Sequence, residues 1–301
     1  MSEYITKFAP KIIKIEKTML KDMNKFRTIL ISLLTALAFS SCGTTSTVPI
    51  TGRKQNILVS DEQVLSLSNQ QYQEYMKAAK VSTNATNTAM VKRVGQKLAN
   101  AVVSYLQQNG LANEASQYKW EFNLVQDKSV NAFCMPGGKI VVYEGILPVT
   151  QDEASLAIVV GHEIAHAVAK HSAERLSNEL RKQYGSQILT GILQGYGTNT
   201  KLQQITSVAF GIGTQLGGAA YSRKQESEAD RLGLIFAAMA GYDPNVAVAF
   251  WQRMAQASGG NYSLLSDHPS DATRIQNIQG WMPEALSYYK KQTTTTTTKK
   301  K

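Results

Sequence analysis

Cysteine is scarce in this sequence, which holds only Cys42 and Cys134 among its 301 residues. A disulfide-stapled domain carries cysteines in several pairs, and a structural zinc site uses several cysteine ligands. The sequence therefore excludes both. We expect Cys134 to be a small apolar residue of the core or of a cleft, because nothing near it in the sequence suggests a nucleophile.

Long apolar runs are missing as well. A helix that spans a bilayer needs about 20 consecutive apolar residues, whereas the apolar run at residues 28–39 has twelve. The sequence therefore predicts no membrane-spanning helix. An integral-membrane enzyme is excluded on the same ground.

The net charge of +10 comes mostly from the two ends of the chain. The first 41 residues hold seven Lys and Arg against three Asp and Glu, and five of the last twelve residues are lysines. Without these ends the net charge falls to about +1. No basic patch in the body of the chain favours nucleic acid, so we expect no nucleic-acid partner.

The first residues follow the order of a signal peptide. A basic stretch at 23–27 precedes the apolar run, and Ser-Ser-Cys-Gly follows it at 40–43. This order predicts a signal peptide region at residues 1–41, with translation starting at Met23 and Met19 as the less favoured alternative. Small residues directly before Cys42 resemble the lipobox of bacterial lipoproteins, which predicts lipidation of Cys42 as the first mature residue.

The mature chain divides into three parts by composition. We expect a linker to the lipid anchor at residues 42–60, one folded domain at 61–288, and a disordered Thr- and Lys-rich tail at 289–301. Periodicity predicts further elements, namely helices at 61–79, 88–108, 178–194 and 244–257, a strand at 118–125 and a short last helix. Residues 205–220 are apolar and glycine-rich, which leaves a packed helix and a mobile flap as alternatives.

The most informative motif is His162-Glu163-Ile164-Ala165-His166, which spells H-E-x-x-H inside an apolar run. Residues four apart on a helix share a face, so both histidines can present an imidazole to one Zn²⁺ per chain. Glu163 lies beside them and can act as general base toward a water molecule. Two solvated histidines are the alternative, but the apolar neighbours predict a buried helix.

The start of this helix also has a signal. Thr150 and Glu153 have the spacing of a capping box just ahead of the apolar run, which predicts that the helix begins there.

The third zinc ligand must come from elsewhere. The metzincin pattern would continue with a glycine and a histidine, but Ala169 and Ser172 stand at those positions. A second helix offers Glu226 as the ligand, and Asp230 four residues later shares its face. We expect Asp230 to accept a hydrogen bond from a ligand histidine. Glu228 points elsewhere on that helix, and we expect it to be a solvated charge.

Small residues continue the same helical face through Ala229, Gly233 and Ala237. Such a row predicts that the Glu226 helix lies close against the H-E-x-x-H helix.

Together, the H-E-x-x-H motif and Glu226-x-Glu228-Ala229-Asp230 resemble the gluzincin-type zinc metallopeptidases that include the CAAX prenyl endopeptidases and the HtpX heat-shock peptidases. The similarity is greatest to the soluble periplasmic lipoprotein branch of these peptidases, and it extends to residues 48–55 and 131–138. The resemblance implies an α+β, mainly helical, zincin-like domain with a small sheet beside the H-E-x-x-H helix.

Two further residues match this family. His268, in Asp267-His268-Pro269, matches a histidine near the zinc that either fills the open coordination position or stabilises the reacting oxyanion. Arg274 matches an arginine suited to a polarised carbonyl. The alternatives are a turn residue before proline for His268 and a helix-surface arginine for Arg274.

A hairpin precedes the zinc helix. Residues 131–135 read as a strand, Pro136-Gly137-Gly138 as a turn, and residues 139–143 as a second strand. An extended substrate can pair with an exposed strand edge through its backbone, which predicts substrate contacts at Asn131, Ala132 and Phe133. A purely structural hairpin is compatible with this role.

The combined expectation is a zinc endopeptidase, lipid-anchored in the periplasm, with the outer membrane as the favoured location. By resemblance, its substrates are misfolded or stalled envelope proteins, and contact with the outer-membrane assembly machinery is allowed. The alternative is a lipoprotein chaperone or assembly factor whose zinc site is silenced by His268. An intact Glu163 favours the enzyme, because a binding module has no use for a base there.

Overall fold

A computed structural model describes residues 44–184, 200–210, 221–257 and 273–299. These residues belong to one compact unit that begins at Thr44. Its strands are β1 (Thr44–Thr47), β2 (Lys54–Ile57), β3 (Glu121–Val125), β4 (Ala132–Met135) and β5 (Lys139–Tyr143). Its helices are α1 (Asp61–Ala78), α2 (Ala85–Gln108), α3 (Ala112–Gln117), α4 (Leu147–Thr150), α5 (Glu153–Val168), α6 (His171–Tyr184), α7 (Thr200–Phe210), α8 (Arg223–Met239), α9 (Val246–Ala257) and α10 (Thr273–Lys299). The α+β, mainly helical fold class is confirmed.

A three-stranded sheet lies between two layers of helices. Its order is β3-β5-β4, with β3 parallel and β4 antiparallel to β5. Successive side chains of a strand face opposite ways, so Ile140 and Val142 join a core with α2, α5, α8 and α9. Val141 faces the other core, which α1, α6 and α7 complete.

The helix that carries the H-E-x-x-H motif is α5, at the centre of the first core. All of its residues from Ser155 to Val168 are buried, which confirms the predicted buried helix. Its N-cap is Asp152, whose side chain accepts a hydrogen bond from the Ser155 backbone N–H at 2.7 Å. The predicted capping box is wrong, because Thr150 belongs to α4 and its hydroxyl donates to the Leu147 carbonyl.

Helix α8 crosses α5 at backbone contact. A Cβ built on Gly233 would lie 2.6 Å from the backbone nitrogen of His162, and one on Gly161 would lie 2.8 Å from the Gly233 carbonyl oxygen. Both distances are far inside van der Waals contact, so only glycine fits either position. Ala229 and Ala237 on the same face are fully buried. The predicted row of small residues therefore does bring the two helices together.

The hairpin before α5 forms as the sequence predicts. Gly137 and Gly138 both have positive φ, 86° and 85°, a conformation that glycine adopts without strain. Cys134 on β4 is buried, as expected. Strand β3 begins at Glu121, three residues later than predicted, and a short helix, α3, precedes it at Ala112–Gln117.

Residues 44–57, which fall in the range expected to be a linker, form the antiparallel pair β1–β2. Val48 in the turn between them is 1% exposed and joins the first core. The turn carries positive φ at Ile50 (67°) and Gly52 (69°). The segment is therefore folded against the domain from Thr44 onward.

Several helices differ from their predicted bounds, and α6 and α10 differ most. Helix α6 begins at His171, seven residues earlier than expected, and the rest of the predicted helix at 185–194 lies outside the described residues. Helix α7 covers the first part of the glycine-rich stretch, whereas 211–220 also lies outside the described residues. Helix α10 continues to Lys299 rather than ending after a few turns, because a packed amino-terminal part lets a helix extend at little cost. In the part of the chain described, no helix is both long and apolar enough to cross a membrane.

Candidate metal centre

Three buried side chains meet between α5 and α8. His162 and His166 lie one turn apart on α5, and Glu226 lies in the first turn of α8. The two Nε2 atoms are 3.1 Å apart. The Glu226 carboxylate places Oε1 3.3 Å from Nε2 of His166 and Oε2 3.5 Å from Nε2 of His162. The structure thus brings together the three residues predicted as ligands.

These distances fit one metal ion. Ligand atoms about 2.1 Å from a four-coordinate zinc stand about 3.4 Å from one another. The three donor pairs measure 3.1, 3.3 and 3.5 Å. Two histidines and one glutamate are also a donor set of catalytic zinc sites, which keep a fourth position open. Within the described ranges this is the group with metal-binding geometry.

Asp230 orients the first histidine. Its Oδ1 atom lies 2.9 Å from Nδ1 of His162, the hydrogen-bonding arrangement that fixes a ligand ring with its proton on Nδ1. Burial lowers the pKa of His162, but hydrogen bonds to Asp230 and Glu226 outweigh it and raise the pKa to about 9. In the metal-free protein His162 is therefore held by carboxylates at both ring nitrogens.

Arg274, in the first turn of α10, lies behind these carboxylates. Its Nη2 donates to Oδ1 of Asp230 at 2.6 Å and to Oε2 of Glu226 at 3.4 Å. The guanidinium also stacks 3.6 Å above the ring of Trp251. Arg274 is 5% exposed, so the alternative of a surface arginine is wrong. The described contacts place its single positive charge against two carboxylates, and a contact with a substrate carbonyl stays a prediction.

Glu163 follows His162 on α5 and is 3% exposed. Burial raises the pKa of the Cys134 thiol on β4, and the Glu163 charge raises it further. The Glu163 carboxylate therefore lies near enough to Cys134 on β4 for its charge to act on the thiol.

Strand β4 is the outer strand of the described sheet. The Tyr143 N–H donates to the Asn131 carbonyl, and hydrogen bonding alternates along an antiparallel pair. The backbone groups of Asn131 and Phe133 therefore face β5, and those of Ala132 and Cys134 face outward. Of the three residues predicted to contact substrate, Ala132 has the required orientation. Its own N–H donates to the Asn131 side chain at 2.9 Å.

Two residues of the centre were not found from the sequence. His171 is fully buried, and its Nδ1 lies 2.8 Å from Nδ1 of His166. Its Nε2 lies 2.9 Å from Oε2 of Glu228. Burial lowers the pKa of both His166 and His171. The prediction that Glu228 is a solvated charge is wrong, because Glu228 is 7% exposed and serves as the partner of His171.

A signal for His171 was present in the sequence. The chain contains four histidines, and three of them fall within residues 162–171. The predicted residues His268 and Cys42 lie outside the described residues.

Comparisons with known proteins agree with this geometry. The profile of Peptidase family M48 matches residues 85–282. The mitochondrial metalloendopeptidase OMA1 of Schizosaccharomyces pombe is 38% identical over 173 residues, covering 56% of this chain and 49% of that protein. A Vibrio cholerae protein provisionally named a beta-barrel assembly-enhancing protease is 32% identical over 165 residues, covering 51% of this chain and 33% of that protein. The metalloprotease LoiP of Escherichia coli is 26% identical over 263 residues, covering 86% of this chain and 97% of that protein.

The family profile covers more than half of the chain. The chain therefore belongs to peptidase family M48, and the predicted resemblance to gluzincin-type metallopeptidases is confirmed. This chain spans about half the length of the OMA1 relative from S. pombe.

Proposed function

We propose that this member of peptidase family M48 is a zinc-dependent endopeptidase that cleaves misfolded or stalled proteins of the cell envelope. The observation that supports it most strongly is the buried cluster of His162, His166 and Glu226, with Glu163 beside it on the same helix. A merely structural metal site would not need a carboxylate in that position.

The three ligands would hold one zinc ion, and Asp230 and Arg274 would keep two of them in place. When bound, zinc supplies Lewis acidity to a scissile carbonyl and to a water molecule. Glu163 takes a proton from the attacking water and passes it to the nitrogen of the leaving amine. The water oxygen forms a C–O bond with the carbonyl carbon, and the C–N bond of the peptide then breaks. Glu163 returns to its ionised form.

A substrate strand would pair with the outward backbone groups of β4. The Ala132 carbonyl and the backbone of Cys134 supply these groups, and hydrogen bonds to a substrate backbone do not depend on the substrate's side chains. Such binding suits an enzyme that acts on unfolded polypeptides of varied sequence. The four residues of β4 are buried in this structure.

The closed site supports a second candidate function. His162, Glu163, His166 and Glu226 are each less than 5% exposed, which would suit a chaperone or assembly factor with a silenced zinc site. The intact Glu163 favours the peptidase. His268 remains a prediction as either a brake or a catalytic aid, and faster cleavage by His268→Ala would identify it as a brake.

We also propose that the chain is anchored by a lipid on Cys42 and faces the periplasm, with the outer membrane as its location. The relative in V. cholerae, whose name refers to β-barrel assembly, supports an envelope location. Unfolded envelope proteins would then be its substrates, and the assembly machinery a neighbour.

Degradation of unfolded casein by the purified protein tests the proposed activity. We expect cleavage with zinc, loss of cleavage with a chelator, and loss in Glu163→Gln. Glu153→Gln changes a partly exposed residue at the start of the same helix, and this variant should cleave casein like wild type. Absence of cleavage by the zinc-loaded wild type would instead favour the chaperone.

A further inference from the structure

The second ring nitrogen of ligand His166 has an unusual partner. A ligand histidine ordinarily donates its other N–H to a carboxylate, a backbone carbonyl or a water molecule, as His162 does to Asp230. For His166 the atom at 2.8 Å is Nδ1 of another imidazole, that of His171. A neutral imidazole can donate or accept at this position, so by itself it does not fix which nitrogen of His166 carries the proton.

Glu228 settles the direction of this contact. An ionised carboxylate only accepts, so Nε2 of His171, 2.9 Å from Oε2 of Glu228, must carry its proton. In a neutral His171 the Nδ1 atom then has a lone pair and accepts from Nδ1–H of His166. The Nε2 atom of His166 is thereby left with a lone pair that faces the other two ligand atoms.

Glu228 is held in turn by the amino-terminal segment. Arg53 in β1–β2 donates through Nε to Oε2 of Glu228 at 2.7 Å, and the Thr51 hydroxyl donates to Oε1. The other two nitrogens of Arg53 form a fork on Glu174 of α6, at 2.9 and 3.0 Å. Arg53 therefore ties together the two helices that supply Glu228 and His171.

We propose that residues 44–57 are part of the metal centre: Arg53 holds Glu228, Glu228 holds His171, and His171 fixes the ring of ligand His166. The inference rests on the proposed function only in that His166 must bind a metal ion. The three residues are positioning residues, since none of them supplies an atom to the metal: His171 contacts the ligand His166, and Glu228 and Arg53 act through His171. A segment expected to be a linker behind the lipid anchor thus determines how well the site holds its metal.

A purely structural ion pair is the alternative role for Arg53. It would change the stability of the fold but leave the metal affinity of the folded protein unchanged. Arg231 supplies a matched control, because it also forms a fork on a glutamate, Glu284, at 2.9 and 2.9 Å. Its exposed fraction, 32%, is close to the 26% of Arg53.

The test is zinc affinity by chelator competition, with the visible spectrum of the cobalt-substituted protein as a second readout, on the full chain. We expect zinc binding by His171→Ala to weaken about 10- to 100-fold and by Arg53→Ala about 10-fold, each with an altered cobalt spectrum. Arg231→Ala should match wild type in both readouts. His171→Gln should restore most of the affinity, because its amide can accept from His166 and donate to Glu228.

Equal zinc affinity and an unchanged cobalt spectrum in Arg53→Ala would overturn the proposal, even if its thermal stability fell. If His171→Ala does not fold, His171→Gln and Arg53→Ala still decide the matter. A failure of His171→Gln to restore zinc affinity would also count against the proposed series of contacts from Arg53 through Glu228 and His171 to His166. A wild-type protein that binds no zinc would overturn both this proposal and the proposed function. Zinc-dependent cleavage by the wild type, with Arg53→Ala equal to it in zinc affinity and cobalt spectrum, would overturn this proposal alone.

Discussion

Gly161 and Gly233 face each other across the α5–α8 crossing so closely that neither position can hold a side chain. A Cβ on Gly233 would lie 2.6 Å from the backbone nitrogen of His162. Because Glu226 sits two turns before Gly233 on α8, this contact sets the distance between the glutamate ligand and the histidine ligands. The close approach of two backbones is thus a condition for the metal centre.

Gly233→Ala should therefore destabilise the protein and disturb the site together. Overpacking of a dense core costs about 1–3 kcal/mol, and the added methyl has backbone rather than a flexible side chain in its way. The measurement is the free energy of unfolding in urea, with zinc affinity measured on the same samples. Gly280→Ala is the control, because a Cβ at Gly280 meets nothing within 4 Å and alanine favours helix by about 1 kcal/mol. A variant at Gly233 as stable as wild type would contradict the packing.

Asp230→Asn should weaken zinc binding by about 10- to 100-fold, as loss of a carboxylate behind a ligand histidine does. The amide keeps an oxygen near His162 but removes the negative charge that Arg274 also contacts at 2.6 Å. Competition with a chelator measures the effect. Asp243→Asn, in the loop before α9, should bind zinc like wild type, and equal affinities for the two variants would contradict the role of Asp230.

The stability of the metal-free protein should depend on Glu228 in a pH-dependent way. Burial raises the pKa of Glu228, but hydrogen bonds from His171, Thr51 and Arg53 outweigh it and hold the pKa below its ordinary value of 4.5. A carboxyl with a lowered folded-state pKa stabilises the protein fully above its unfolded-state pKa and loses that contribution as pH falls through the folded value.

Glu228→Gln should accordingly lower the free energy of unfolding at pH 7, and its difference from wild type should shrink as the pH falls below 4.5. Urea unfolding over a series of pH values, with a chelator present throughout, measures this difference. A difference that stays constant into acid would show that the charge of Glu228 is not what matters.

Asp152→Ala should cost about 1 kcal/mol, because it removes the N-cap of α5. The Asp152 carboxylate accepts from the Ser155 N–H at 2.7 Å and satisfies the backbone donor of that buried residue in the first turn of the helix. Thermal unfolding of Asp152→Ala and Asp152→Asn separates the loss of the cap from the loss of the negative charge, since Asn also caps helices well. An alanine variant as stable as the asparagine variant would contradict the cap.

The ligand histidines and their helix could be predicted because the relevant geometry is local. Spacing of four on an apolar helix fixes the relation of His162 to His166 without any knowledge of the fold. The placement of Glu226 and Asp230 on one helical face was also predicted from their spacing of four, together with the row of small residues that continues that face through Gly233. The α+β class was likewise implied by the resemblance that these motifs carry.

The burial of Glu228 could not be predicted, because it depends on a distant partner. Arg53 lies 175 residues before Glu228 in the chain, and no local pattern connects them. His171 returns to His166 because Lys170 adopts a left-handed conformation with φ 54°. Lysine gives no sign of such a turn in the sequence, whereas a glycine would have done so.

The most direct test of the account is the zinc content of the purified protein measured beside its cleavage of casein, before and after removal of metal. The account predicts one zinc per chain in wild type, about none in a His162→Ala and Glu226→Ala double variant, and cleavage that disappears with the metal and returns when zinc is restored. A protein that holds no zinc, or that still cleaves casein after its zinc is gone, would contradict it.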